Sequence, residues 1–475
     1  MRLLSRGLSN FFSSGWRLIA VAALLHVTLA VGLFWAGRAQ IAPGLLDRDA
    51  IFKSFAPDSY AYQREAIRLT SVLRDRGLRA WLEEPERPHI KLISLQFAIF
   101  SSAFGHSALS AEPLNLFSYI AILCLVLTLG REVAGMRVGL CATGIVALWP
   151  TFLMHTTQFL KDPLFIAGAL ALILIVTMCL TRTCNWVGAV SMSALIALMT
   201  ALLLSMRGKF GAIIFALAFF GFILLSVRQW LQRRLLYWNL TCLSLLLIIG
   251  ALAAFDLTGH PRPKRYPSDQ SGGAKTYFGP GRHLTAVIAD RRTVPFKAKV
   301  SGSYKDHLEA ATERTALEIG LARHRINVNV PEASSAIDPN VELSSPKDMI
   351  DYLPRAFAIG LWAPFPKMWV SAGASVGRTG RLIAGAETLV IYLCELFTVF
   401  AIWRAPRCLA AWLLLLIIIL GLAMLGLVVS NVGTLYRFRY LFWILLIILG
   451  LKGLQSVGTT LRQKFQPQLI SGGLV

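Results

Sequence analysis

Four polar stretches interrupt an otherwise apolar chain, and each carries residue types able to do chemistry at a membrane surface. Pro57-Asp58-Ser59-Tyr60 sets a carboxylate and a phenol at the head of a helical stripe through Ile67, Leu69, Val72 and Leu73. Asp58 has two readings there, a cap on a surface helix or a general base that takes a proton from a hydroxyl. The connection from Trp149 to Asp162 confines His155, Gln158, Lys161 and Asp162 beside the membrane plane, a cluster that invites a ligand. Arg207-Gly208-Lys209 and Tyr436-Arg437-Phe438-Arg439 place four cations in two tight turns with no acid beside them. A bound phosphate would account for these cations, since a guanidinium grips two of its oxygens in a planar fork and lysine adds a point charge. Snorkelling to lipid headgroups is the competing account.

Ionisable groups within apolar runs are few. His26 suits packing, Glu387 and Glu395 share one helical face, and a role for Glu395 is left open. The cysteines, Cys124, Cys141, Cys179, Cys184, Cys242, Cys394 and Cys408, lie in or beside apolar runs without metal-ligand spacing. Neither a disulfide framework nor a zinc site is expected.

The elements that must hold these groups follow from composition. Of 475 residues, 56% are hydrophobic and 15% charged, against roughly 45–50% and about 25% in soluble domains. That balance excludes a cytosolic enzyme. A spanning helix needs about 17–25 apolar residues, and nine runs qualify: Leu18 to Gly37, Leu114 to Gly130, Val138 to Met154, Pro163 to Leu180, Val187 to Met206, Phe210 to Val227, Leu235 to Phe255, Leu382 to Trp403 and Cys408 to Val429. Tyr440 to Leu454 makes a tenth if Lys452 snorkels. Leu92 to Phe104 is too short to cross at about 1.5 Å per residue. Laid along the interface, it leaves Arg2, Arg6 and Arg17 on the same side as Arg131 and Arg137, Arg182, Arg228, Arg233 and Arg234, Arg404 and Arg407, and Lys452, Arg462 and Lys464. This is the positive-inside pattern of ten spans with both termini cytoplasmic. The first run lacks a small-residue cleavage site near Ala36 and Gly37, so it reads as a span rather than a leader. The net charge of +22 then reflects orientation and anionic lipid, and no nucleic-acid partner is expected.

Two exterior segments result, 38–113 and 256–381. The second has strand-like stretches from His283 to Ala289 and from Val294 to Val300, then a stripe at Leu308, Ala311, Thr315, Ile319, Ala322 and Ile326 with helical spacing. Ser345-Pro346-Lys347-Asp348 starts a further helix, which Trp362-Ala363-Pro364-Phe365-Pro366 ends in an interfacial or re-entrant turn. The expected fold is an all-α polytopic membrane protein with about ten transmembrane helices, a re-entrant or interfacial helix and a small exterior α+β segment. Its parts are an N-terminal transmembrane module (1–255), an exterior loop domain (256–381) and C-terminal helices with a tail (382–475).

This layout resembles the GT-C polytopic glycosyltransferases, the superfamily of protein O-mannosyltransferases and the lipid A aminoarabinose transferase. The residues that carry the resemblance are Asp58-x-Tyr60 after the first span, Arg87-Pro88-His89 before a helix ending Phe104-Gly105, Gly130-Arg131 closing a span, and Pro150 to Asp162, similar to a second exterior acidic motif. Tyr352-Leu353-Pro354-Arg355 and Pro364-Phe365-Pro366 resemble bacterial envelope-polysaccharide membrane proteins. The resemblance implies hexosyl transfer from a polyprenyl-phosphate-linked sugar to a glycan, lipid or protein acceptor, on the periplasmic face of a bacterial inner membrane. It gives Asp58 and Asp162 catalytic roles, with Tyr60, His89, His155, Lys161, Arg207, Lys209, Tyr436, Arg437 and Arg439 around the substrate. A single Asp58 followed by Ser59 stands where many members carry an Asp-Glu pair, so a divalent cation is an open option and no other cofactor is expected. Two alternatives stand beside this reading: an O-antigen or exopolysaccharide polymerase or ligase, and a non-enzymatic glycan transporter. Charges that crowd one face, with no internal repeat, weigh against the transporter.

Overall fold

The computed structural model describes residues 2–53, 58–206, 211–254, 304–329, 336–370 and 377–465. These are helical almost throughout, with no strand ladder among them; the isolated bridges Leu46 to Phe52 and Ala336 to Asn431 are the exceptions. The strand-like stretches anticipated from His283 to Val300 lie outside the described residues. The helices are α1 (Arg2–Arg38), α2 (Asp58–Glu83), α3 (Pro88–Phe104), α4 (Glu112–Ala134), α5 (Met136–Ala147), α6 (Pro150–Thr156), α7 (Asp162–Thr181), α8 (Trp186–Met206), α9 (Gly211–Gln232), α10 (Tyr237–Ala254), α11 (Tyr304–Asn329), α12 (Pro346–Trp362), α13 (Gly377–Arg404), α14 (Leu409–Val428), α15 (Val432–Phe438) and α16 (Tyr440–Phe465).

Eight of these, α1, α4, α7, α8, α9, α13, α14 and α16, contain stretches long and apolar enough to cross a membrane. The apolar part of α10, Tyr237–Ala253, is shorter. The run from Val138 to Met154, expected as a span, is built from two helices, α5 and α6, apolar enough together to cross and bent by 68°. Pro150 is the cause: it has no N–H to continue the ladder, and it drives Trp149 to an extended conformation (φ −70°, ψ 110°). The protein is an all-α polytopic membrane protein.

Two helices are buried nearly all round, which in a membrane bundle marks the centre. They are α7, where Phe165, Ile166, Leu170, Ile173 and Val176 pack inward, and the first half of α16 from Tyr440 to Leu449. Their ends fix the site, because Asp162 opens α7 and Arg437 lies three residues before the start of α16. Above them a second cluster joins Phe34, Ile51, Leu69, Trp81, Ile93, Phe97 and Phe159. It holds α2 and α3 together, with the Thr70 hydroxyl donating to the Ser94 carbonyl (3.0 Å) and the Trp81 indole donating to Ser94 Oγ (2.9 Å). Helix α3, which contains Leu92 to Phe104, is thus a partner of α2 rather than an isolated surface helix. A kink at Gly77 divides α2; its φ of 81° is a left-handed value that a side chain resists.

Gln158, read from sequence as part of a ligand cluster, is fully buried and ties the connection between α6 and α7 to that between α1 and α2. Its amide donates to the Ala50 carbonyl and its carbonyl accepts from the Phe52 N–H, both at 3.1 Å. His26 is likewise structural, 2.8 Å from Glu112 Oε1 and 2.9 Å from Thr156 Oγ1, and so links α1 to α4 and α6.

The stripe from Leu308 to Ile326 does form a helix, α11. Arg323 from that helix is buried and donates to the carbonyls of Gly426 (3.3 Å) and Leu427 (3.2 Å) at the end of α14. Those carbonyls have no partner within their own helix, and a cation suits the negative end of its dipole. Helix α12 starts with a complete capping box: Ser345 Oγ accepts from the Asp348 N–H, and Asp348 accepts from the Ser345 N–H. It stops at Trp362 before the cis Ala363-Pro364 bond. Rather than lying free at an interface, α12 packs backbone to backbone on α14. A Cβ at Gly426 would sit 1.8 Å from the Ala356 carbonyl oxygen, and one at Gly360 2.1 Å from that of Leu422.

Between α11 and α12, Asp338 accepts from Arg355 Nε (3.0 Å) and from the Tyr352 hydroxyl (2.9 Å). The Arg355 guanidinium holds the Asp338 carboxyl below the usual carboxylate range, with burial opposing and Tyr352 assisting. A depressed folded pKa contributes stability above the ordinary value of about 4, and that contribution is lost as pH falls through the lowered value. Docking of this segment should therefore weaken on acidification below about pH 4, by less than about 1 kcal/mol because Arg355 is half exposed. Asp338→Asn, which tolerates the positive φ of 47° at this position, should flatten the dependence. Proteolytic susceptibility against pH reads it; identical profiles for the two proteins would count against the assignment.

Candidate functional site

Asp58 is the first residue of α2, Asp162 the first of α7, and Arg437 lies in the last turn of α15. Asn431 fixes α15 by capping, its side-chain oxygen accepting from the N–H groups of Gly433 (2.8 Å) and Thr434 (3.3 Å). The three charged residues converge. Arg437 Nη2 donates to Asp58 Oδ2 at 2.7 Å, and Arg437 Nε lies 3.5 Å from Asp162 Oδ2, an ion-pair contact too long for a good hydrogen bond. Exposure separates the two acids: the Asp58 side chain is 49% exposed, those of Asp162 and Arg437 only 8% and 11%. A carboxylate with an open face can meet an incoming hydroxyl; a sealed one can only hold its neighbour.

Tyr62 joins this group. Burial, then the charges of Asp58 and Asp162, push its phenol up to about 12, against Arg87 and Arg437. It stays protonated at neutral pH and is available as a donor. Sequence reasoning chose Tyr60 instead, which is half-buried and directed at Asp47; burial first, then that hydrogen bond, take its phenol to about 12. The available signal was spacing, since Tyr62 follows Asp58 by four residues on a helix and shares its face, whereas Tyr60 does not.

The other expected residues divide between support and separation. His89 is buried under Tyr62, ring centroids 5.0 Å apart and edge to face. His155 is buried, its Nδ1 2.9 Å from both the Thr151 carbonyl and the Tyr440 hydroxyl. Tyr436 is buried and donates to Glu387, which also accepts from the Thr151 N–H (2.9 Å) and hydroxyl (2.6 Å). Glu387 thereby joins α13 to the start of α6 and to α15, a positioning contact that sequence left unassigned. Lys161 is half-buried directly before α7. Arg207 and Lys209 lie outside the described residues.

Arg439 corrects an expectation. Paired with Arg437 on a shared anion in the sequence reading, it is instead fully buried, donating to the Gly360 carbonyl (3.2 Å) with its guanidinium 4.5 Å from the Trp443 ring centroid and 5.5 Å from that of Tyr436. Cation–π contacts and one carbonyl replace the anion.

A divalent cation does not fit the side chains present. Such an ion takes six or more oxygens, some from water or a substrate phosphate, and among the described residues no group of three His, Cys, Asp or Glu is placed to hold one. The two acids that converge already share a guanidinium.

Neither a protein-family model nor a curated protein matches the chain. Among solved structures it is similar to the archaeal oligosaccharyltransferase AglB from Archaeoglobus fulgidus in complex with an inhibitory peptide and a dolichol-phosphate, with a TM-score of 0.51 and 17% identity over 97% of this chain and 52% of that one. An apo oligosaccharyltransferase of the same organism aligns over 97% of this chain and 53% of that one, at TM-score 0.48 and 15% identity. The chain thus shares a membrane-helix fold with AglB, while spanning about half of its length.

Proposed function

We propose that the protein is a membrane glycosyltransferase that moves a sugar, in our reading a hexose, from a polyprenyl-phosphate-linked donor to a glycan, lipid or protein acceptor. The observation that carries this reading is the Asp58–Arg437–Asp162 group, a half-exposed carboxylate beside a cation at the ends of two central helices. Support comes from the fold shared with AglB, which was solved with a dolichol-phosphate and a peptide. We place the site on the periplasmic face of a bacterial inner membrane, following the arginine pattern of the loops.

In this scheme Asp58 gives Oδ2 to Arg437 and offers its open face to the acceptor. The acceptor oxygen bonds to the anomeric carbon as its proton passes to Asp58, and the bond from that carbon to the lipid-phosphate oxygen breaks. The phosphate leaves with the electron pair, and Arg437 stabilises the charge through Nη1, the nitrogen that neither carboxylate engages. Asp162, nearly sealed from solvent, positions Arg437 rather than touching substrate. Incubating the purified protein with radiolabelled polyprenyl-phosphate hexoses and crude envelope acceptor tests the proposal. Label should move from the lipid to the acceptor. Elongation of a diphosphate-linked glycan without use of these donors would favour a polymerase, and no turnover of any donor would sink the transferase reading.

A further inference from the structure

Two exterior carboxylates brought together at a phosphate-handling site ordinarily need a cation between them, because their like charges repel and they would also repel an incoming phosphate. We infer that Arg437 is that cation, built into the chain: its Nε/Nη2 edge takes the place a divalent metal would hold between Asp58 and Asp162, and the site binds no such metal.

Three observations carry this. The first is stereochemical: Nη2 contacts Asp58 at 2.7 Å and Nε faces Asp162 at 3.5 Å, so one edge of the fork serves both acids and Nη1 is left over. The second is burial. A metal bound to the sealed Asp162 side chain would have to expel a guanidinium that is itself only 11% exposed. The third is the donor set, since no third carboxylate, histidine or thiol among the described residues joins the two acids, and both of these are already turned to the guanidinium. A guanidinium also keeps its charge at every physiological pH, so the position is permanently filled.

The statement about metal stands on geometry alone; only its consequence for turnover rests on the transferase reading. Mn2+ added to the full-length protein in detergent, with free ion read by electron paramagnetic resonance, tests the first part. Wild-type protein should leave the Mn2+ signal unchanged, and uptake that persists in Asp162→Asn lies elsewhere and agrees with the proposal. Uptake of one ion per chain that Asp162→Asn abolishes would overturn it. Arg437→Ala removes the guanidinium from both carboxylates and should gain a Mn2+ site that Arg437→Ala/Asp162→Asn loses again. A folded Arg437→Ala protein that gains none would also overturn it, and if that variant does not fold, the wild-type and Asp162→Asn titrations decide. Transfer by the wild type should be unchanged by EDTA, and a loss restored by Mn2+ would overturn the proposal as well. Should no donor be turned over, the transferase reading fails while the Mn2+ result stands.

Discussion

Asp58→Asn should reduce transfer by about 10^2- to 10^4-fold, the usual contribution of a positioned general base, equivalent to about 3–5.5 kcal/mol in the barrier. The carboxamide keeps the shape of the carboxylate, can still accept from Arg437 Nη2, and remains a competent residue at the head of α2. It cannot take a proton from the acceptor. The loss should therefore fall in kcat, with KM for the donor and the thermal midpoint close to wild type. This pattern separates a base from a cap, because a residue that only caps a helix would keep both midpoint and turnover when replaced by asparagine. Full activity in the asparagine variant would remove Asp58 from the chemistry.

Arg437→Ala should be more damaging still, since three functions disappear together. The Asp162 carboxylate loses its cation inside the protein, and breaking a buried pair from one side costs about 3–5 kcal/mol. Asp58 loses the donor that orients it, and the departing phosphate loses its stabilising charge, a preorganised contact typically worth 10^2–10^3 in rate. Arg437→Lys should restore folding more than turnover. A compact ammonium can meet one carboxylate or the phosphate, but it cannot present one edge to two acids and a further nitrogen to a third group. Thermal midpoint, donor affinity and single-turnover rate, measured on both variants, check this. Complete rescue of all three by lysine would show that charge alone matters and would argue against the fork geometry.

Much of the scaffold was legible in the sequence because it depends on local rules. Apolar run length marked most of the spans, spacing by three and four marked α11, and Ser345-Pro346-Lys347-Asp348 specified the capping box that opens α12. Pro150 in the third run was a readable breaker as well, and it bends that run into α5 and α6.

What only the tertiary structure decided is which side of each element faces which neighbour. Asp58 and Arg437 are 379 positions apart, and no periodicity links residues so distant; they meet because α7 and α16 pack at the centre of the bundle while Gln158 fastens the connection between α1 and α2 beside them. The same geometry separates Arg437 from Arg439. Read as a turn, the two look like one cationic patch, but across the junction of α15 and α16 two residues turn the chain by about 200°, at roughly 100° per residue, and their side chains part. One reaches the carboxylates and the other enters the aromatic core against Trp443. Tyr60 and Tyr62 follow the same rule from Asp58. The sequence by itself determined that a helical membrane protein would carry acids and arginines at one face, because hydropathy and charge act residue by residue. Which of those acids shares an arginine, and which arginine, was settled by packing, because rotation about a helix axis directs a side chain and only neighbouring helices fix that rotation.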